Sequence, residues 1–279
     1  MTPDPEKLQS LTQLCLLIAR HAGERIVTVY HGEFEIMQKS DETPLTTADL
    51  EANRIITDGL QALDFSAPIL SEESAVVSFN ERTSWDSYWL VDPLDGTREF
   101  IARNGEFSVN IALIQNGKPI LGVVYAPILK VAYFAAQGQG AWKQVDDAKP
   151  QPIQVRKSPR KSVIVARSRS PVTGPLMKRF LEKLGAHEEV PMGSALKSCL
   201  VAEGAADVYP KLGPTSEWDT GAAQCVVEEA GGRITDLEMC DLRYNTRESL
   251  LNPHFLVFGS EERQWNDYVP SGLSYFPAS

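Results

Sequence analysis

The sequence predicts an α+β protein in which helical and sheet layers alternate in the order α-β-α-β-α within two closely packed lobes. The chain has 279 residues, enough to bury a large core. Two amphipathic helical patterns open the chain and are followed by consecutive strands, whereas strands and helices alternate in the second part. We therefore expect a single folded unit with an α+β lobe over residues 1–150 and an α/β lobe over residues 151–279.

Helical signals dominate the beginning of the chain. Asp4-Pro5 is typical of a helix N-cap followed by proline at the first helical position, and apolar residues then recur at helical spacing over residues 8–30. A second helix is predicted to begin at Thr46-Thr47 and to continue to Leu63. Asp49 would lie in the first turn of that helix, where its carboxylate is close to the positive end of the helix dipole.

Strands are predicted after the second helix, because short apolar runs alternate there with turn residues. Asn116-Gly117 is typical of a hairpin turn, so the sheet should be largely antiparallel. The predicted strands are 68–71, 88–91, 108–115, 120–126 and 131–135. The polar segment 144–159 contains three prolines, and we expect the junction between the lobes there.

Strands and helices alternate beyond this junction, which is the pattern of a mixed α/β lobe. The predicted strands are 163–166, 206–209 and 255–258. The predicted helices lie near 175–184, 195–203 and 220–230.

Composition excludes several classes of protein. The net charge of −10 argues against general nucleic-acid binding, which needs a basic surface. The four cysteines and the four histidines show no metal-ligand spacing, and we expect the cysteines to be reduced, mostly buried thiols. No apolar run reaches the ~18 residues of a membrane span, and no signal-peptide pattern is present. We therefore expect a cytoplasmic protein.

An apolar run in the first lobe ends abruptly in two carboxylates, Asp92 and Asp95. Carboxylates held at one point repel each other, so a folded protein keeps them together with a cation or a cationic partner. Further acidic residues stand where a core-building sequence would not place them: Glu72-Glu73, Asp219 and Asp49. Hard divalent cations such as Mg²⁺ bind carboxylates and carbonyls and reach phosphate oxygens. The pattern predicts a site for two such ions that acts on a phosphate ester.

Three segments resemble, in order, the metal-site motifs of the lithium-sensitive, Mg²⁺-dependent phosphatases related to inositol monophosphatase. They are Ser71-Glu72-Glu73-Ser74, Asp92-Pro93-Leu94-Asp95-Gly96-Thr97 and Trp218-Asp219-Thr220. The resemblance covers nearly the whole chain. Within this superfamily, segments 98–101, 105–111, 193–197 and 201–204 are most similar to the bacterial CysQ-type 3′(2′),5′-bisphosphate nucleotidases. The resemblance implies hydrolysis of adenosine 3′,5′-bisphosphate to AMP and phosphate, with its sulfated form as a second substrate and a link to sulfate assimilation.

The same resemblance implies a role for individual residues. Two or three Mg²⁺ ions would be held by Glu72, Asp92, the Leu94 main-chain carbonyl, Asp95 and Asp219, with Asp92 shared between ions. Asp49, Thr97 and Glu72 would be catalytic, since Thr97, hydrogen-bonded to Asp49, would orient or deprotonate the attacking water.

Substrate contacts would come from both lobes. The resemblance implies that the scissile phosphate meets main-chain amides around Gly96 and Thr97, beside Glu72, Leu94, Asp95 and Asp219. Lys197 and Arg167 would face the other phosphate of the nucleotide.

Several alternatives stay open on the residues alone. An inositol or sugar phosphate monoesterase would carry the same motifs, whereas a catalytically silent binding protein should have lost a ligand or the Thr97–Asp49 pair. Glu73 is as well explained by a solvated position as by metal binding. Lys39 is as well explained as a surface lysine as by the position near the metal site that the resemblance implies. Gly221 stands where the family usually has alanine, and we expect it to tune affinity without loss of activity. Oligomeric state is not predicted, and peripheral attachment to the cytoplasmic face of the inner membrane is left open.

Overall fold

A computed structural model describes residues 3–38, 44–74, 77–157, 162–169, 174–259 and 263–277. Its helices are α1 (Pro5–His31), α2 (Thr47–Gln61), α3 (Phe79–Arg82), α4 (Thr97–Ile101), α5 (Pro175–Leu184), α6 (Leu196–Ala202) and α7 (Glu217–Glu229), with a 3₁₀ helix at Trp265–Tyr268. Its strands are β1 (Ile36–Gln38), β2 (Pro44–Thr46), β3 (Ile69–Ser71), β4 (Ser87–Asp95), β5 (Ser108–Gln115), β6 (Lys118–Ala126), β7 (Val131–Ala136), β8 (Ala141–Val145), β9 (Gln151–Ile153), β10 (Val163–Arg167), β11 (His187–Pro191), β12 (Val208–Lys211), β13 (Arg233–Asp236) and β14 (Phe255–Phe258).

Two sheets organise the molecule. The larger has seven strands in the order β3-β4-β5-β6-β7-β8-β9, and its neighbours are antiparallel except for the parallel pair β3–β4. The smaller has five strands in the order β11-β10-β12-β14-β13, of which β11, β10 and β12 are parallel. A separate hairpin joins β1 to β2. The larger sheet is therefore largely antiparallel, as the sequence predicted.

Three apolar cores lie between five layers. Helices α1 and α2 pack on one face of the seven-stranded sheet, where Trp89 and Ile111 are buried. Helices α6 and α7 fill the space between the two sheets, against Leu90 and Ala112 of the opposite face. Helix α5 and the 3₁₀ helix cover the outer face of the five-stranded sheet. The predicted α-β-α-β-α layering is confirmed.

Alternation along single strands explains why the larger sheet carries helices on both faces. In β5 the side chains of Ile111 and Leu113 join the core under α1 and α2, while Ala112 and Ile114 join the core under α7. Successive side chains of a strand point to opposite faces, so an apolar run of this length requires two covered faces.

Helix α7 lies very close to the sheet because β6 contributes a glycine. A Cβ atom on Gly122 would lie 2.2 Å from the carbonyl oxygen of Ala222, which is well inside contact distance. This close approach fixes the depth of the helix whose first turn carries Asp219.

Strands occupy part of the segment for which the sequence predicted a junction. Polar residues and three prolines suggested a junction over 144–159, but β8 and β9 extend the seven-stranded sheet as far as Ile153. Edge strands tolerate proline and polar side chains, so composition conceals them. The division into two lobes at residue 150 stays a prediction.

Other predictions at this level concern membranes and thiols. Among the described residues, no helix is both long enough and apolar enough to cross a membrane. All four cysteines are free thiols, and Cys15, Cys199 and Cys225 are buried. Burial raises the pKa of these three thiols well above its ordinary value, which keeps them protonated.

Candidate active site

The ends of two parallel neighbouring strands bring the first acidic residues together. Strands β3 and β4 pair in register at Ser71 and Val91, and the Glu72 amide donates to the Val91 carbonyl at 3.1 Å. Glu72 and Asp92 therefore leave the same edge of the sheet side by side. The pairing of β4 with β5 is interrupted between Asp92 and Asp95, which is the kind of irregularity that redirects side chains beside functional sites.

Helix α7 supplies the third carboxylate. Single carboxylate oxygens of Glu72, Asp92 and Asp219 all lie within 4.8 Å of one another. Asp219 is held by a capping box: the Ser216 amide donates to Asp219 Oδ2 at 2.8 Å, and the Ser216 side chain accepts from the Asp219 amide. The cap and the positive end of α7 fix this carboxylate at the cluster.

Burial and mutual repulsion dominate the electrostatics of the cluster. Burial raises the pKa of Asp92 well above its ordinary value, and the charges of Glu72, Asp95 and Asp219 raise it further. Burial, followed by the charges of Asp95 and Glu72, raises the pKa of Asp219 to about 7. Carboxylate oxygens that are held together despite their mutual repulsion are ligands that suit a hard divalent cation.

Asp95 lies beside this group rather than in it. Its Oδ2 atom accepts hydrogen bonds from the Ser194 hydroxyl at 2.7 Å, the Ala195 amide at 2.6 Å and the Asn110 side chain at 3.3 Å. Three donors on one oxygen hold the carboxylate in a fixed orientation. Two of them come from the turn between β11 and α6, so the smaller sheet helps to position a carboxylate of the larger one.

Thr97 and Asp49 form the predicted pair. The Thr97 hydroxyl lies 3.3 Å from Asp49 Oδ1 and 3.4 Å from the Leu94 carbonyl. Asp49 is buried in the first turn of α2, and its Oδ2 accepts from the Thr46 amide at 2.7 Å and from the Thr46 hydroxyl at 2.5 Å. The carboxylate of Asp49 is thereby anchored by its own helix cap and has one oxygen directed at Thr97.

A glycine allows the turn that presents Thr97. Gly96 has φ of +94°, a conformation that other residues rarely adopt, and a Cβ there would lie 3.3 Å from Glu99 Oε2. Helix α4 follows directly, and Phe100 anchors it in an aromatic cluster with Tyr30 and Phe107. Leu94, also buried, donates its amide to Asp92 Oδ1 at 3.0 Å.

Two lysines lie near the cluster, the buried Lys197 of α6 and the half-buried Lys211 at the end of β12. Lys197 Nζ donates to the Ser194 carbonyl at 2.6 Å and lies 5.4 Å from the centre of the Tyr209 ring. Burial lowers the pKa of Lys197 to about 8, and the neighbouring charge of Lys211 lowers it too, against the opposing effect of Asp95. Burial likewise lowers the pKa of Lys211, while Asp219, Asp95 and Glu99 oppose that shift.

Lys211 was missed by sequence reasoning. The predicted strand 206–209 stopped short of it, whereas β12 continues to Lys211. The available signal was its position directly after a buried strand and eight residues before Asp219. Among the described residues, neither Lys197 nor Lys211 has a carboxylate within ion-pair distance.

The remaining candidates lie elsewhere or outside the described residues. Arg167 forms an ion pair with Glu189 on the edge strand β11 and donates to the Ser168 carbonyl. Glu73 is not part of the group of three carboxylates; its carbonyl lies 3.5 Å from the Asn53 side chain. Lys39 is outside the described residues.

A comparison with known proteins identifies the class. A model of the inositol monophosphatase family matches residues 7–266, and the chain belongs to this family. The chain is 49% identical over 249 residues to the 3′(2′),5′-bisphosphate nucleotidases CysQ of Salmonella typhimurium and of Escherichia coli K12. Each alignment covers 88% of this chain and 98% of the relative.

Solved structures agree with this assignment. The crystal structure of CysQ from Bacteroides thetaiotaomicron is 40% identical with a TM-score of 0.79, covering 90% of this chain and 97% of that one. The extragenic suppressor protein SuhB from Bartonella henselae is 25% identical with a TM-score of 0.76, covering 95% of this chain and 100% of that one. The predicted family and fold are confirmed.

Proposed function

We propose that this protein is a Mg²⁺-dependent phosphatase that hydrolyses adenosine 3′,5′-bisphosphate to AMP and phosphate, with the sulfated form of the nucleotide as a second substrate. The observation that carries the proposal is the convergence of Glu72, Asp92 and Asp219 within 4.8 Å beside the Thr97–Asp49 pair. The names of relatives that are 49% identical over nearly their whole length support the nucleotide substrate.

The metal would be held by Glu72, Asp92, the Leu94 carbonyl, Asp95 and Asp219. Two or three Mg²⁺ ions bound there would supply the positive charge that acidifies a water and neutralises the phosphate oxygens. Side chains and main-chain amides of the protein would then orient the attacking water and the substrate.

Thr97 would orient the attacking water. Its hydroxyl donates to Asp49, so its lone pairs are available to accept a hydrogen bond from that water. The Thr97–Asp49 pair, with Glu72 nearby, would take up the proton as the water oxygen bonds to phosphorus and the bond from phosphorus to the 3′ oxygen breaks. The 3′ oxygen would take a proton from solvent water and leave as a hydroxyl, and the Thr97–Asp49 pair would later return its proton to solvent. Main-chain amides around Gly96 and Thr97 would hold the phosphate during this step.

Lys197 and Lys211 would bind the phosphate that is not hydrolysed. Both ammonium groups are largely buried and, among the described residues, lack an ion-pair partner, so an anion arriving there would replace a missing counter-charge. A substrate with a single phosphate leaves this charge unbalanced. We therefore favour a nucleotide bisphosphate over an inositol or sugar monophosphate.

The direct test compares phosphate release from adenosine 3′,5′-bisphosphate and from inositol 1-phosphate at equal Mg²⁺. We expect kcat/KM to favour the nucleotide by roughly a hundredfold, the effect of two charged contacts. A preference for the inositol ester would contradict the proposal and support an inositol or sugar phosphate monoesterase instead. No turnover of either ester would favour a silent binding protein.

Two further expectations belong to the same proposal. Li⁺ should inhibit by taking a Mg²⁺ position, and inhibition should weaken as Mg²⁺ rises; full activity at high Li⁺ and low Mg²⁺ would contradict it. We also propose that the enzyme acts in the cytoplasm on the by-product of sulfate assimilation. Fractionation of cells at low ionic strength tests whether part of it is peripheral to the inner membrane.

A further inference from the structure

One buried arginine joins two segments that are far apart in the sequence. Arg82, 2% exposed at the end of α3, donates Nε to the Val77 carbonyl at 3.2 Å and Nη2 to the Glu248 carbonyl at 2.8 Å. Its Nη1 donates to Asn245 Oδ1 at 2.5 Å. The three bonds use separate nitrogen atoms of the planar guanidinium, a geometry that lysine cannot reproduce.

Asn245 carries the connection onward. Its side chain returns a bond to the Arg82 carbonyl at 2.7 Å, so the two residues hold each other twice. Its backbone amide, at φ of +54°, donates to both carboxylate oxygens of Glu217 at 3.0 and 2.8 Å. Asn245 therefore contacts Arg82 through its side chain and Glu217 through its main chain.

Glu217 is the first residue of α7 and is fully buried. It lies two residues before Asp219, and its own amide donates to the Leu250 carbonyl at 2.8 Å. The contacts of Arg82 thus connect the end of α3 with the loop that supports the start of α7.

We propose that Arg82 is a positioning residue for the metal site, which through Asn245 and Glu217 fixes the first turn of α7 and with it the position of Asp219. The inference rests on the proposed function in one respect, that the carboxylate cluster binds a divalent cation. The hydrogen bonds of Arg82 go to Val77, Asn245 and Glu248, none of which is a proposed ligand. Its effect is to hold the segment that carries Asp219 in one geometry, the role that supporting hydrogen bonds have around metal sites.

The sharpest test is Asn245→Gly. Glycine keeps both the left-handed backbone and the amide that Glu217 accepts, and removes only the side chain that meets Arg82. We expect the dissociation constant for Mn²⁺, measured without substrate by electron paramagnetic resonance, to rise about tenfold. Asn116→Gly is the matched control, because Asn116 has φ of +49° in the exposed hairpin turn between β5 and β6.

A second variant tests the arginine. Arg82→Lys keeps the positive charge but loses the planar guanidinium with its separate donor nitrogens. It should weaken Mn²⁺ binding by a similar factor. Combined with Asn245→Gly it should add little, since both remove the same connection. Equal Mn²⁺ affinity in Asn245→Gly, Asn116→Gly and the unsubstituted protein would overturn the inference. Lower resistance to urea with unchanged Mn²⁺ affinity would also overturn it, because that result indicates a purely structural role.

The Mn²⁺ measurement separates this inference from the proposed substrate. If the unsubstituted protein binds Mn²⁺ but does not hydrolyse adenosine 3′,5′-bisphosphate, the proposed function fails while the comparison of variants still decides the role of Arg82. If the unsubstituted protein does not bind Mn²⁺, both fail.

Discussion

The Ala195 amide donates a 2.6 Å hydrogen bond to Asp95 Oδ2, and this contact joins the seven-stranded sheet to the turn between β11 and α6 at the active site. Asp95 ends the longest strand that reaches the site, whereas Ala195 precedes α6 at the edge of the smaller sheet. The Ser194 hydroxyl reinforces the contact on the same oxygen. Orientation of a proposed metal ligand thus depends on a part of the chain that contributes no ligand.

Removing the Ser194 hydroxyl should weaken metal binding. Ser194 has φ of +55°, so Ser194→Gly preserves the backbone and removes the donor to Asp95, together with the contacts of the hydroxyl with the Ser108 hydroxyl and the Ala195 amide. We expect the Mg²⁺ concentration for half-maximal activity to rise by about tenfold, the usual effect of losing a group that orients a ligand. Lys130→Gly serves as the control, because it also replaces a residue of positive φ (+51°) with glycine, but in a distant turn. An unchanged Mg²⁺ requirement in Ser194→Gly would contradict this account of Asp95.

Neutralising Lys211 should affect nucleotide binding more than chemistry. Lys211→Met keeps the length of the side chain and removes its charge. We expect KM for adenosine 3′,5′-bisphosphate to rise roughly tenfold, the loss of one charged contact, with a much smaller change in kcat. Turnover of p-nitrophenyl phosphate, which has no second phosphate, should change far less. Equal losses on both substrates would place Lys211 outside the proposed phosphate contact.

Without metal, the protein should lose stability as pH rises. The folded-state pKa of Asp219 is about 7 and that of Asp92 is also raised, whereas unfolded aspartates have a pKa of about 4. The folded state therefore holds protons that the unfolded state has released, and this stabilisation is complete below about pH 4 and lost as pH passes about 7. Each extra proton contributes a slope of about 1.4 kcal/mol per pH unit between the two values.

Urea unfolding in EDTA between pH 5 and pH 8 measures this loss. Asp219→Asn should reduce the dependence of the free energy of unfolding on pH, and saturating Mg²⁺ should reduce this dependence as well. A residual slope should persist with Mg²⁺, because burial raises the pKa of Glu217 to about 7 and Glu217 is not a proposed ligand. A free energy of unfolding that rises over this range in EDTA would contradict the raised pKa values of Asp92 and Asp219.

Two glycines near α7 should respond differently to alanine. A Cβ on Gly122 would lie 2.2 Å from the rigid Ala222 carbonyl, so Gly122→Ala should lower the free energy of unfolding by about 3 kcal/mol. A Cβ on Gly221 would lie 2.9 Å from Leu90 Cδ2, an atom that can move. The gain in helix propensity of about 1 kcal/mol should then offset the shift of Leu90. Urea unfolding of both variants checks this, and equal destabilisation would show that α7 tolerates no added volume at either position.

Local signals explain what the sequence could predict. Asp4 caps α1 by accepting from the Lys7 amide at 2.8 Å, and α2 begins at Thr47 as its capping residues indicated. The hairpin at Asn116-Gly117 joins β5 to β6. Each of these features depends on residues within a few positions, and the motifs around Asp92 and Asp219 are equally local.

Long-range contacts explain what the sequence could not predict. Strand β4 runs on to Asp95 because Asp92 and Asp95 pair with Asn110 and Ser108 of the next strand, which no local pattern around Asp92 reveals. The contact of Ser194 with Asp95 spans 99 positions, and that of Arg82 with Asn245 spans 163. Such contacts depend on how the two sheets pack, and they decide the geometry of a site whose residue types alone are evident from sequence.

The central claim is that the carboxylate cluster is a Mg²⁺ site for hydrolysis of a nucleotide bisphosphate. The most direct test measures phosphate release from adenosine 3′,5′-bisphosphate as Mg²⁺ is titrated, for the unsubstituted protein and for Asp92→Asn. We expect activity that depends on Mg²⁺ and that falls by at least about a thousandfold in Asp92→Asn, while circular dichroism shows an unchanged fold. Equal turnover in the two proteins, or activity that persists in EDTA, would contradict the account.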